Sequence, residues 1–84
     1  MKRALEDAIR LLDILIGDRE SYFSGDYLNS EGRKLFEEAV RSILREAPYL
    51  RRRISRVRRK GDYNTILSLR EDLAILLLKG GQEE

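Results

Sequence analysis

Along this chain, apolar residues recur at the three- and four-residue spacing of helices, in four separate stretches. Residues 2–16 place Leu5, Ala8, Ile9, Leu12, Leu15 and Ile16 along one side, and Gly17 stands where a left-handed C-cap is expected. Residues 31–46 repeat the pattern with Leu35, Phe36, Ala39, Val40, Ile43 and Leu44. Asn29 or Ser30 is placed to cap that helix, and Glu37 and Arg41 form an i,i+4 pair on its outer side. Pro48 closes it, because the residue before a proline avoids helical backbone angles, and the same Pro48 suits the first turn of the next helix. That third helix, 48–60, carries a narrow apolar line of Leu50, Ile54 and Val57 and stops at Gly61. Asp62 or Asn64 is placed to open the fourth, 64–79, which runs into Gly80 and Gly81.

No stretch alternates with period two over a useful length, so no strand is expected. The pattern predicts an all-α domain over residues 1–80, four short helices in a small bundle, followed by a polar C-terminal tail at 81–84. At 84 residues there is room for one domain and no more.

Residues 17–30 form the one long connection, and its apolar content exceeds what a solvated loop needs. Tyr22, Phe23, Tyr27 and Leu28 admit two readings. The rings fold back and close one end of the core, or Tyr22, Phe23 and Tyr27 serve as anchors for a partner.

Charge changes the picture, because it is not evenly spread. The net charge is +2, yet residues 1–46 carry −2, residues 62–84 carry −3, and residues 47–61 hold seven basic groups and no acidic one. On a helical wheel Leu50, Ile54 and Val57 fall within about 60° of one another. Arg51, Arg52, Arg53, Arg56, Arg58, Arg59 and Lys60 fill nearly all the remaining circumference. They align in rows seven apart: Arg51 with Arg58, Arg52 with Arg59, Arg53 with Lys60. At the rise of an α-helix the patch is about 14 Å long, enough to meet several phosphates along one strand. Like charges three and four apart destabilise a helix by a few tenths of a kcal/mol per pair, so such a cluster needs a neutraliser.

Three neutralisers are available. A nucleic-acid backbone matches the guanidinium fork and releases counterions on binding. An acidic protein surface is the second. The third is internal: Glu6, Asp7, Asp13, Glu37, Glu38, Glu71 and Asp72 on neighbouring helices. If the partner is DNA or RNA, phosphate and shape contacts dominate. The basic helix lacks the Asn and Gln that read adenine edges, and the Ala47-Pro48 link is too tight for a helix-turn-helix.

The fourth helix is apolar over most of its circumference. Ile66, Leu69, Leu73, Leu76 and Leu77 make one face; Leu67, Ala74 and Leu78 lie beside it, with Ile75 further round. In so small a domain this predicts self-association or docking into a larger complex, with Leu67, Ala74, Ile75 and Leu78 at the interface, unless the helix is the central one of the bundle.

Composition removes most catalytic designs. The chain has no Cys and no His, hence no thiolate and none of the commonest general base or metal ligand. Adjacent acids at Glu6-Asp7, Glu37-Glu38 and Glu71-Asp72 point about 100° apart on a helix, so none is a ready two-carboxylate site. No enzyme activity, metal, cofactor or small-molecule substrate is expected. Glu6, Asp7 and Asp13 interrupt the apolar stretch a signal peptide needs, and no stretch spans a bilayer, so a soluble cytoplasmic protein is expected with no membrane partner.

Asn occurs twice, Gln once and Met only at position 1, and 13 of the 17 basic residues are Arg, a thermophile-type composition. With a small basic helical domain, this resembles in type the accessory subunits of archaeal information-processing machines, without a motif match. The sequence thus predicts a small non-enzymatic accessory protein that binds nucleic acid through an Arg-rich helix. The alternative is an adaptor subunit of a replication- or transcription-type complex, its basic helix docked on an acidic partner.

Overall fold

Three capping side chains set the frame of the helices. In the computed structural model, which describes residues 3–82, helix α1 (Arg3–Gly17) is followed by the short α2 (Arg19–Tyr22) and by two strands, β1 (Phe23–Ser24) and β2 (Tyr27–Leu28). Then come α3 (Ser30–Glu46), a 3-10 turn (Pro48–Leu50), α4 (Arg51–Lys60) and α5 (Tyr63–Gln82). Asp18 caps α2 by accepting from the Ser21 N–H at 3.3 Å. Asn29, rather than Ser30, caps α3 by accepting from the Gly32 N–H at 2.8 Å, and its amide donates to the Ser21 carbonyl. Asp62, rather than Asn64, caps α5 through the Thr65 N–H and hydroxyl. The chain is an all-α bundle, as its hydrophobic spacing predicts.

The departures from expectation lie at chain breaks and in the long connection. Gly17 continues α1 instead of forming a left-handed cap; among the described residues only Gly25 (φ 67°) and Gly61 (φ 60°) have positive φ. α5 starts one residue early and runs through Gly80 and Gly81 to Gln82, so part of the expected tail is helical. The expected third helix is divided: Pro48 starts a 3-10 turn and the α-helix proper begins at Arg51.

Residues 17–30 are not a loop. α2 leads into an antiparallel hairpin with Phe23 opposite Leu28 and Ser24 opposite Tyr27, turning at Gly25. The expectation of no strands is therefore corrected. Each arm is two residues long, too short for any period to show.

The hairpin is tied to the α4–α5 turn. Tyr27 bridges Asp62, the Leu28 N–H donates to the Gly61 carbonyl at 3.0 Å, and the Tyr63 N–H donates to the Asp26 carbonyl at 2.8 Å. Phe23 and Leu28 are buried in the core, and the Phe23 ring meets Tyr63 edge-on at 5.3 Å. α3 crosses α2 so closely that a Cβ on Gly32 would lie 2.1 Å from the Tyr22 carbonyl oxygen.

Leu12, Leu15, Phe36, Ile43, Ile54, Ile66, Leu69 and Leu73 form the dry centre. α1 is the hub, packed along α3 on one side and α5 on the other. α4 lies at the periphery and packs mainly against α5.

Candidate functional site

α4 inserts only a thin edge into the core. Ile54 and Val57 are buried and Leu50 half-buried, and these three sit on one narrow line of the helix. Everything else around α4 is basic except Ser55. With about 100° between successive residues, the cations sort into three ridges. Arg53 and Lys60 flank the apolar line on one side, Arg51 and Arg58 flank it on the other, and Arg52, Arg56 and Arg59 point away from the core.

Among the described residues, two of the seven cations find partners inside the molecule, one on each flank. Arg53 forms an ion pair with Asp72 of α5. Arg58 grips Glu37 of α3 with both arms of its fork, Nε to Oε2 at 2.7 Å and Nη2 to Oε1 at 2.9 Å. Hydrogen bonding to Glu37 raises the Arg58 pKa above its ordinary value. The expected Glu37–Arg41 pair does not form, because the bidentate geometry offered by Arg58 takes the carboxylate. Two other acids are also engaged elsewhere: Asp13 by Arg70 at 2.7 and 3.3 Å, and Asp7 by Arg10 at 3.1 Å. The hydrogen bond from Arg70 to Asp13 likewise raises the Arg70 pKa.

Arg51, Arg52, Arg56, Arg59 and Lys60 are exposed, and among the described residues none of them is in an ion pair. Among the described residues, internal neutralisation reaches the flanks and leaves the outer ridge untouched. The N-terminus of α4 adds to the imbalance. Its N-cap, Leu50, has no capping side chain, and its first turn carries three arginines and no acid. Positive charge at the positive end of a helix is unfavourable unless an anion sits nearby.

Tyr49 lies outside the periodic stretches of the sequence. It lies in the 3-10 turn at 71% exposure, three residues before Arg52. Its spacing from Arg52 and Arg56 was readable on a wheel, but the residue belongs to a turn rather than to a periodic stretch.

The other expected contact residues separate clearly. Phe23 belongs to the core and Tyr22 is half-buried against it, so the fold-back reading holds for these two rings, while Tyr27 is 59% exposed. On α5, Leu67 and Ala74 are half-buried, Ile75 is 51% exposed and Leu78 67%. No residue described after Leu73 is fully buried.

A small cleft lies between the hairpin and the start of α5, lined by Arg19, Asp26, Tyr27, Asp62, Tyr63 and Asn64. Its charges serve the fold. The Arg19 guanidinium stacks 4.0 Å from the Tyr63 ring centre and pairs with Asp26 at 3.1 Å. The Thr65 hydroxyl, donating to Asp62, holds that carboxyl below the usual carboxylate range. Among the described residues no three His, Cys, Asp or Glu side chains gather to hold a metal ion, and no helix is long and apolar enough to cross a membrane.

No protein-family model matches this chain, and neither a curated protein nor a solved structure does.

Proposed function

We propose that the protein is a non-enzymatic nucleic-acid-binding accessory protein that grips phosphates through α4, largely without regard to base sequence. The observation that carries this reading is the outer ridge: Arg52, Arg56 and Arg59 side by side in solvent, with Arg51 and Lys60 beside them and no carboxylate paired to any of the five among the described residues. Guanidinium forks match phosphate oxygens, and releasing the counterions condensed on nucleic acid drives association. The uncapped, arginine-rich first turn of α4 gains from the same phosphates.

The test is a fluorescence-anisotropy titration at several salt concentrations. Engaging three to five phosphates gives a slope of log K against log salt of about −2 to −4. Affinity then falls about 15- to 250-fold between 50 and 200 mM salt. The triple variant Arg52→Ala, Arg56→Ala, Arg59→Ala flattens that slope. Absence of binding at the lowest salt rules the reading out.

A protein contact is favoured separately by α5, where Ile75 and Leu78 stand in water beyond Leu73, the last buried residue among those described. In that reading α5 supplies a self-association or docking surface, and α4 remains the phosphate grip.

A further inference from the structure

We infer that the nucleic acid held by α4 is single-stranded, and that Tyr49 stacks an unpaired base at the N-terminal end of the arginine ridge. This rests on the phosphate-gripping reading of α4 and names the substrate class of that same site.

Three observations carry the inference. Tyr49 has the largest exposed fraction of any large apolar side chain described, 71%, and is not among the residues packed on the core. Its backbone is held in a closed turn all the same. Pro48 opens the turn that presents it, and the Leu50 N–H closes that turn on the Ala47 carbonyl at 3.0 Å. The turn leads straight into α4, which sets the ring about 200–220° round the helix from Ile54, close to Arg52 at about 160° and Arg56 at about 200°. One face of the molecule therefore offers an exposed aromatic ring followed at helical spacing by guanidinium groups.

That combination fits a strand whose bases are free. A single strand exposes base faces beside its phosphates, and a ring next to a basic track takes one of them whatever the sequence. In a duplex those faces are covered by neighbouring pairs, so the ring finds nothing to stack on along the helix. Tyr27, the other exposed tyrosine, borders the cleft that holds the Asp26 and Asp62 carboxylates, which repel phosphate. The stacking position is therefore Tyr49.

The experiment compares wild type, Tyr49→Ala and Tyr49→Phe by anisotropy. The probes are a labelled oligonucleotide of about 15 nucleotides as single-stranded DNA and RNA, its abasic version, and a blunt duplex of the same length. Wild type is expected to prefer one or both single strands to the duplex. Tyr49→Ala weakens single-strand binding about 5- to 100-fold and leaves duplex binding and the salt slope unchanged. Tyr49→Phe keeps single-strand affinity within about twofold, since stacking needs the ring and not the hydroxyl. Equal binding of the abasic and normal strands, wild-type affinity in Tyr49→Ala, or a duplex bound as tightly as the single strands overturns the inference while leaving phosphate gripping intact. If no probe binds at low salt, phosphate gripping itself fails. Circular dichroism confirms that the exposed substitutions leave the fold unchanged.

Discussion

Arg58 of α4 holds both carboxylate oxygens of Glu37, a residue 21 positions earlier on α3, at 2.7 and 2.9 Å. Both side chains are partly in solvent, so the pair is worth at most about 1 kcal/mol to the fold. Its greater effect is on the surface, where it cancels one cation at the margin of the exposed ridge. Glu37→Gln frees that cation. Stability is expected to fall by up to about 1 kcal/mol in thermal unfolding. If α4 grips phosphate, nucleic-acid affinity is expected to rise in the same variant, with a steeper salt dependence. A parallel loss of both properties would argue that Glu37 orients α4 instead of masking it.

Gly32 of α3 lies directly against the backbone at the end of α2. On helix propensity alone Gly32→Ala stabilises α3 by about 1 kcal/mol. The added methyl, however, falls 2.1 Å from a backbone oxygen of Tyr22, which cannot swing aside as a side-chain tip does. The steric effect wins, and a net loss of about 1–3 kcal/mol is expected in chemical denaturation.

Asp62 makes part of the stability depend on pH. Its carboxyl is depressed in the folded chain, chiefly by the Thr65 hydroxyl. The associated stabilisation is therefore full above the unfolded carboxyl pKa of about 4 and is lost as pH falls through the lower folded value. Asp62→Asn keeps an acceptor for the cap and removes this acid-side dependence. Asp62→Ala loses the cap and costs about 1 kcal/mol at neutral pH.

The end of α5 separates folding from assembly. Leu73→Ala empties a fully buried site and is expected to cost about 2–5 kcal/mol. Ile75→Glu with Leu78→Glu changes residues already in water and stays within about 0.5 kcal/mol of wild type for each substitution. If α5 mediates self-association, light scattering shows wild type above monomer mass at micromolar concentration and the double variant at monomer mass.

α1, α3 and α5 were legible because each carries several turns of periodic apolar residues, and the core they form is the one that spacing predicts. The hairpin was not, since Phe23–Ser24 and Tyr27–Leu28 are set by a turn at Gly25 and by docking onto Gly61 and Asp62, contacts remote in sequence. The Gly32 approach was hidden for the same reason: its partner atom is a backbone oxygen ten positions away. On α4 the seven cations could be read directly. Glu37 and Asp72 were among seven candidate acids, and only the packing of α3 and α5 beside α4 singles them out.

The hairpin's grip on Gly61 and Asp62 fastens α4 at one extremity, while among the described residues its apolar seam with the core is Ile54, Val57 and half of Leu50. A polyanion lying along the outside of such a helix acts as a splint. If the ridge binds such a polymer, occupancy and local unfolding become opposed processes: amide exchange in α4, expected to be faster than in α1 and α3 in the free protein, is expected to slow when the ridge is filled.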